Sequence, residues 1–296
     1  MARLVYSENL YELALPPRHR FPIGKYRRIH EALARDHAER LTLAPPATTE
    51  DLALVHSLSY IHAVRAGTLP DAAVRRLGFP WSEALADRSR RSVGGTLAAL
   101  SWAYAEGAAG HLAGGTHHAF ADRCEGFCVF NDLAVAVRVA QRDHGARRVA
   151  IVDLDVHQGN GTAALFAGDE SVMTLSLHGQ NNYPFKKESS TLDVAFADGC
   201  DDETFLAGLD PALEAVAGFR PDLLLYQAGV DPLRGDRFGR LALSHRGLSR
   251  RDDRVFALAG ALGVPLVVVL GGGYHPEGEP SIVAHVNVFS GLLAAL

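Results

Sequence analysis

The sequence predicts an α/β fold: one domain with a central, mostly parallel β-sheet and helices on both of its faces. Two observations carry the prediction. Short apolar, β-branched runs alternate with longer amphipathic stretches, the pattern of β-α-β units. The runs also lack a polar residue at every second position, as strands do when helices cover both sides of a sheet. A third observation bears on function. GGTHH, DLDVH, QAGVD and LGGGY each close an apolar run, and open parallel sheets bind ligands at the carboxyl ends of their strands.

Strands are expected at RLVY (3–6), HLAGG (111–115), VAIVDLD (149–155), VMTLSL (172–177), LLLYQAG (223–229) and PLVVVLGGG (265–273). Amphipathic helices are expected from Arg91 to Gly107, Asn131 to His144, Asp202 to Ala217 and Ser249 to Leu262. APPATTED (44–51) reads as a loop and a helix start, and Arg88, Arg90 and Arg91 as a solvated helix start. No Ser/Gly/Pro-rich linker, internal repeat or low-complexity tract divides the chain, so residues 1–296 read as a single domain.

The 296 residues are 48% hydrophobic and 21% charged, an ordinary globular composition that can bury a core without disulfides. A net charge of −5 with no basic stripe argues against a nucleic-acid partner. Three cysteines are too few for a disulfide framework and suit a reducing compartment, so a cytoplasmic location is expected. The N-terminus lacks a basic stretch followed by an apolar one, and no run approaches the roughly 18 apolar residues of a membrane span.

VDLDVHQGNGT (152–162) poses the chemical question. A buried run ends on Asp153, Asp155 and His157 at alternate positions, and alternate side chains of a strand share a face. A lone Asp-x-His more often caps a helix or sits satisfied in a core. Three ionisable side chains on an apolar strand are costly unless paired, and a bound cation pairs them. Asp231 of QAGVDP, at the end of another run, supplies a third ligand. Two carboxylates and an imidazole leave a position open on zinc, as catalysis requires, and the mixed donor set also admits other divalent ions. His117 and His118 of GGTHH suit proton transfer near neutral pH. Tyr274 of GGGY suits donation to a developing oxyanion. A glycine-rich turn is a weak signal alone, and without a following Lys-Ser/Thr it does not indicate a P-loop. No G-x-S-x-G elbow appears. His118, Cys124 and Cys128 spell H-x5-C-x3-C, which a zinc knuckle also shows, and Cys128 is an alternative nucleophile. A cysteine nucleophile leaves the Asp155, His157, Asp231 set without a role. The residues read together as a metal-assisted hydrolase of an amide or related carbonyl.

The ordered motifs GGTHHAF, EGFCVFND, VDLDVHQGNGT, VMTLSLH, YQAGVDP and LGGGY, within Tyr6 to Gly291, resemble the histone deacetylase superfamily. FPIGKY and DLDVHQGNG are most similar to its class IV branch and bacterial relatives. The resemblance implies an arginase/deacetylase-like domain with about eight strands. It implies zinc on Asp155, His157 and Asp231, and acid–base roles for His117 and His118, the second as general base and acid. Tyr274 then binds the substrate carbonyl, while Gly126, Phe127 and Gly272 line a narrow acyl-lysine tunnel. Asp153 orients His117 and, with Asp155, His157, Ser176 and Leu177, partly through main-chain oxygens, holds a potassium or sodium ion.

Asn160 departs from many relatives, which carry an aspartate there. An amide oxygen accepts the imidazole N–H but stabilises the imidazolium less than a carboxylate does, so a lower working pKa is expected for His118. The implied substrate is an acylated lysine in a protein or peptide, carrying acetyl or, by likeness to class IV, a long fatty acyl group. The alternative is a small acylated amine such as an acetylpolyamine, which an acidic residue at the mouth favours. A silent acyl-lysine-binding module and an arginase-like ureohydrolase fit the intact His117, His118 and Tyr274 less well. GQNNYPFKKESS (179–190) is expected to rim the pocket, with Tyr183 and Phe185 flanking the acyl chain and Lys186 and Lys187 facing solvent.

Overall fold

The computed structural model describes residues 2–7 and 13–295. Residues 8–12, part of the N-terminal stretch read above as carrying no leader, lie outside them. The strands are β1 (Arg3–Tyr6), β2 (Leu41–Leu43), β3 (Ala108–His111), β4 (Val149–Asp153), β5 (Val172–Gly179), β6 (Leu192–Phe196), β7 (Leu223–Gln227) and β8 (Leu266–Val269). They form one sheet in the order β2-β1-β3-β8-β7-β4-β5-β6, and every pairing is parallel.

The order decides where the helices lie. Parallel crossovers are right-handed, so forward and backward steps put their helices on opposite faces. Forward steps carry Glu83–Glu106 and Asp132–Asp143, which pack together. Backward steps carry Asp202–Phe219 and His245–Leu262, which pack together on the other face, with Glu279–Ala295 and Lys25–His37 beside them. Ser82, Asn131, Asp201 and Ser244 start four of these helices by accepting a first-turn N–H. Between β3 and β4 stand β8 and β7. The loops after β3 and β4 therefore rise on either side of those after β8 and β7, and the crevice this switch opens lies at the carboxyl edge.

Several elements differ from expectation. Strand β3 is AAGH, ending where HLAGG was to begin. The edge strands β2 and β6 had no counterpart, because LTL and LDVAF bury only part of their side chains and give little apolar signal. By contrast β4, β5, β7 and β8 are buried along their whole length. The helix expected from Arg91 starts at Glu83, so Arg88, Arg90 and Arg91 are not a solvated start. Arg88 is buried over the rings of Phe21 and Tyr26. Arg90 donates to the Ala47 carbonyl and Arg91 pairs with Asp87.

Candidate active site

Asp155 and His157 follow β4, and Asp231 follows β7, which pairs with β4 in register. Their ligand atoms lie within 4.8 Å of one another, in the one such group among the described residues. His157 Nδ1 sits 2.9 Å from Asp155 Oδ1 and 3.0 Å from Asp231 Oδ2. Asp155 Oδ2 accepts from Gly272 N at 2.7 Å and Gln227 Nε2 at 3.1 Å. Val156 N donates to Asp231 Oδ1 at 2.9 Å, while buried Asp231 Oδ2 has the close approach to His157 Nδ1 but no well-aligned hydrogen bond. Glycine is required at 229 and 272, where a Cβ would collide with these carboxylates.

The electrostatics also favour a cation. Burial and the Asp155 charge push Asp231 up to about 7. Burial alone would depress His157, but the Asp231 and Asp155 carboxylates raise it to about 10. Two carboxylates buried this close together favour positive charge between them. This buried set of two carboxylates and one imidazole fits a divalent ion by its donor chemistry. Arg251 props the triad from beneath. Fully buried, it donates to the carbonyls of Gly229 (2.6 Å) and Leu154 (3.2 Å) and pairs with Asp252.

The loop after β3 brings His117 and His118 to the same edge. His117 Nδ1 meets Asp153 Oδ2 at 2.6 Å. Burial would lower its pKa, but the Asp153 carboxylate outweighs that and raises it. His118 Nδ1 meets Asn160 Oδ1 at 2.7 Å. Burial, then the charges on His117 and His157, hold it well below the usual histidine value. Asn160 Nδ2 donates in turn to Glu125 Oε1 at 2.9 Å, and Tyr183 Oη donates to that oxygen at 2.5 Å. A carboxylate only accepts, so Glu125 turns the amide nitrogen toward itself and the amide oxygen toward His118. His118 therefore carries its proton on Nδ1, and Nε2 keeps the lone pair.

A cavity of about 490 Å³ opens over these groups, with His118, His157 and Tyr274 in its wall. Gly126, Phe127 and Tyr183 also line it, and Gly272 lies deeper, against the triad, in a chamber of about 40 Å³. Tyr274 is held by its backbone N–H, which donates to Asp236 at 2.6 Å. Burial and the Asp231 and Asp155 charges keep its phenol protonated, hence a donor. Lys25 of FPIGKY is buried, donates to the Gly271 carbonyl at 2.8 Å and lies over the Tyr274 ring.

A histone deacetylase domain model matches residues 19–288. The chain belongs to the histone deacetylase family. It is 42% identical to an uncharacterised Picosynechococcus protein, over 95% of each chain. It is 32% identical to histone deacetylase 2 of Arabidopsis thaliana, covering 92% of this chain and 74% of that one. The histone deacetylase-like amidohydrolase of Pseudomonas aeruginosa is 31% identical over 87% of this chain and 72% of its own. The crystal structure of an HDAC homologue from Aquifex aeolicus superposes with a TM-score of 0.82 at 27% identity, covering 97% of this chain and 84% of that one. The fold is thus the arginase/deacetylase fold of these homologues, and the protein is a hydrolase of the deacetylase class.

Of the residues singled out in sequence, Asp155, His157, Asp231, His117, His118, Asn160, Gly126, Phe127, Tyr183, Gly272 and Tyr274 meet around this edge, and two readings change. Lys187 is only partly open to solvent: its Nζ donates to the carbonyls of Asn182 and Pro184, both at 2.6 Å. Among the described residues Cys124 and Cys128 join no metal-binding group, and Cys128 is buried where its thiol is pushed far up, which disfavours a nucleophile. Three supporting residues had been passed over. Lys25 stood inside a quoted motif, and Glu125 began another whose glycine and phenylalanine drew attention. Arg251 lay in SRRDDR, a charge run that resembles a solvated helix face.

Proposed function

We propose that this protein is a zinc-dependent deacylase that hydrolyses the side-chain amide of acylated lysine. One observation carries the reading: the Asp155, His157, Asp231 triad, the lone pair on His118 and the Tyr274 phenol converge at the base of one cavity. Asp155, His157 and Asp231 would hold a divalent ion, which would supply Lewis-acid polarisation of the acyl carbonyl and a more acidic water. His118 Nε2 takes a proton from water as its oxygen bonds the carbonyl carbon. Tyr274 donates to the oxyanion that develops. The same histidine then protonates the amine nitrogen as the C–N bond breaks, releasing lysine and a carboxylate. Asp153 holds His117 and Asn160 holds His118. Gly126, Phe127 and Tyr183 confine the alkyl stem.

The small inner chamber suits acetyl better than a long fatty acyl group. Asp153 pairs with Ser176, and Gly179 N donates to the Val156 carbonyl at 2.9 Å; to Asp153, Asp155, His157, Ser176 and Leu177 we assign a structural potassium or sodium ion. Three buried free cysteines suit a reducing compartment such as the cytoplasm. No helix among the described residues is long and apolar enough to cross a membrane.

The test is turnover of lysine peptides carrying acetyl, octanoyl or myristoyl groups, with and without chelator and added zinc. Acetyl turnover should disappear on chelation and return with zinc. Tyr274→Phe should lower kcat by about 10²–10³-fold. Turnover that survives chelation sinks the metal, and inert acyl-lysines throughout sink the substrate.

A further inference from the structure

The chain is net acidic, yet the mouth of the cavity is not. Arg20, Arg76, Arg237 and Arg240 all line it, and no aspartate or glutamate does. They come from three distant stretches of chain, so no local helix or turn preference explains their meeting. All four are exposed. Arg240 pairs with Asp198 at 3.2 Å, whereas Arg20, Arg76 and Arg237 form no ion pair among the described residues. Folding gains little from grouping unpaired cations around a concavity, where their mutual repulsion is unfavourable. A low-dielectric cleft lined by one sign of charge instead focuses its field on an approaching ligand. Guanidinium groups, moreover, match carboxylates in shape as well as charge.

We propose that the substrate carries carboxylates around the acylated amine, and that the arginine rim selects an acyl-lysine flanked by acidic residues. This rests on the deacylase reading above and narrows it. Acetylated polyamines and basic, histone-like tails bring positive charge to a positive mouth and are disfavoured. The same chemistry in a small molecule is an acylated amine bearing its own carboxylate, for which free Nε-acetyl-lysine is the simplest probe.

The experiment uses three acetyl-lysine peptides of equal length, flanked by aspartate and glutamate, by serine and alanine, or by lysine and arginine. Binding to the full chain is read by fluorescence anisotropy, beside turnover. The acidic peptide should bind about tenfold more tightly than the basic one. The gap should close near 1 M salt, where the screening length is about 3 Å. Arg76→Gln with Arg237→Gln should shrink the ratio. Arg147→Gln, which removes one exposed charge before β4 at the opposite edge, should not. Equal or reversed binding of acidic and basic peptides overturns the proposal. Free Nε-acetyl-lysine binding as well as the acidic peptide overturns the peptide assignment. Binding in charge order without turnover of any peptide overturns the deacylase reading and leaves the anionic selectivity standing.

Discussion

His117 and His118 are adjacent, both are buried, and their ring centroids lie 4.1 Å apart. Their Nδ1 atoms nevertheless meet different partners: the Asp153 carboxylate at 2.6 Å and the Asn160 amide oxygen at 2.7 Å. Burial pushes both pKa values down. The carboxylate reverses that push for His117. The amide does not for His118, whose neighbours His117 and His157 depress it further. Partner chemistry, not depth, thus divides the pair into a histidine suited to hold positive charge and one suited to accept a proton. The contrast between the two histidines turns on the identity of one residue, Asn160.

The strongest test of that division removes each ring. His118→Ala should lower kcat by about 10²–10⁴-fold, the usual worth of a general acid–base group, with little change in peptide affinity. His117→Ala should cost less, by roughly tenfold or more. Equal losses in steady-state kinetics would erase the distinction between the two.

A second test makes the partners alike. His118 must be neutral to accept a proton, so kcat/KM falls as pH drops through its pKa. A carboxylate at 160 would stabilise the imidazolium, raise that pKa and move the acid limb to higher pH. Glu125 complicates the single change, because Asn160→Asp replaces an N–H donor with a carboxylate facing another carboxylate. One of the two then takes a proton, which blunts the effect. Asn160→Asp combined with Glu125→Gln restores a donor to the new aspartate and should shift the limb further than Asn160→Asp alone. We expect about tenfold lower kcat/KM than wild type near pH 6 in the double variant. Superimposable pH profiles would show that the 160 side chain does not tune His118.

How much of this was legible in sequence follows from where the signal lies. The central strands β4, β5, β7 and β8 are buried throughout and stand out as apolar runs, and the polar residues just beyond them mark the site. The edges β2 and β6 are half-wet and short, so period and hydrophobicity say little there. Arg88 and Arg251 are buried arginines whose partners, two aromatic rings and two loop carbonyls, lie far along the chain. No local pattern announces such a long-range match. Glu125 was hidden for the same reason, since it touches Asn160 and Tyr183, 35 and 58 residues away.

Glu125→Gln alone is the subtlest test of the comparison, because it keeps size and removes only directionality. The wild-type carboxylate oxygen accepts from both Asn160 and Tyr183, so Asn160 has one satisfactory orientation. A glutamine can present either oxygen or nitrogen to Asn160. When nitrogen faces it, the Asn160 amide turns over, an N–H points at His118 Nδ1, and the imidazole must move its proton to Nε2. That tautomer has no lone pair for water. Losing a preference of about 1 kcal/mol should therefore mix the tautomers and lower kcat by about two- to fivefold, with KM nearly unchanged. Nitrogen NMR of the His118 ring reads the effect directly, as a single Nδ1–H form in wild type and a mixture in the variant. A single Nδ1–H form with wild-type kcat in Glu125→Gln would mean that Asn160 holds His118 unaided, and that the contrast between the two histidines ends at their immediate partners.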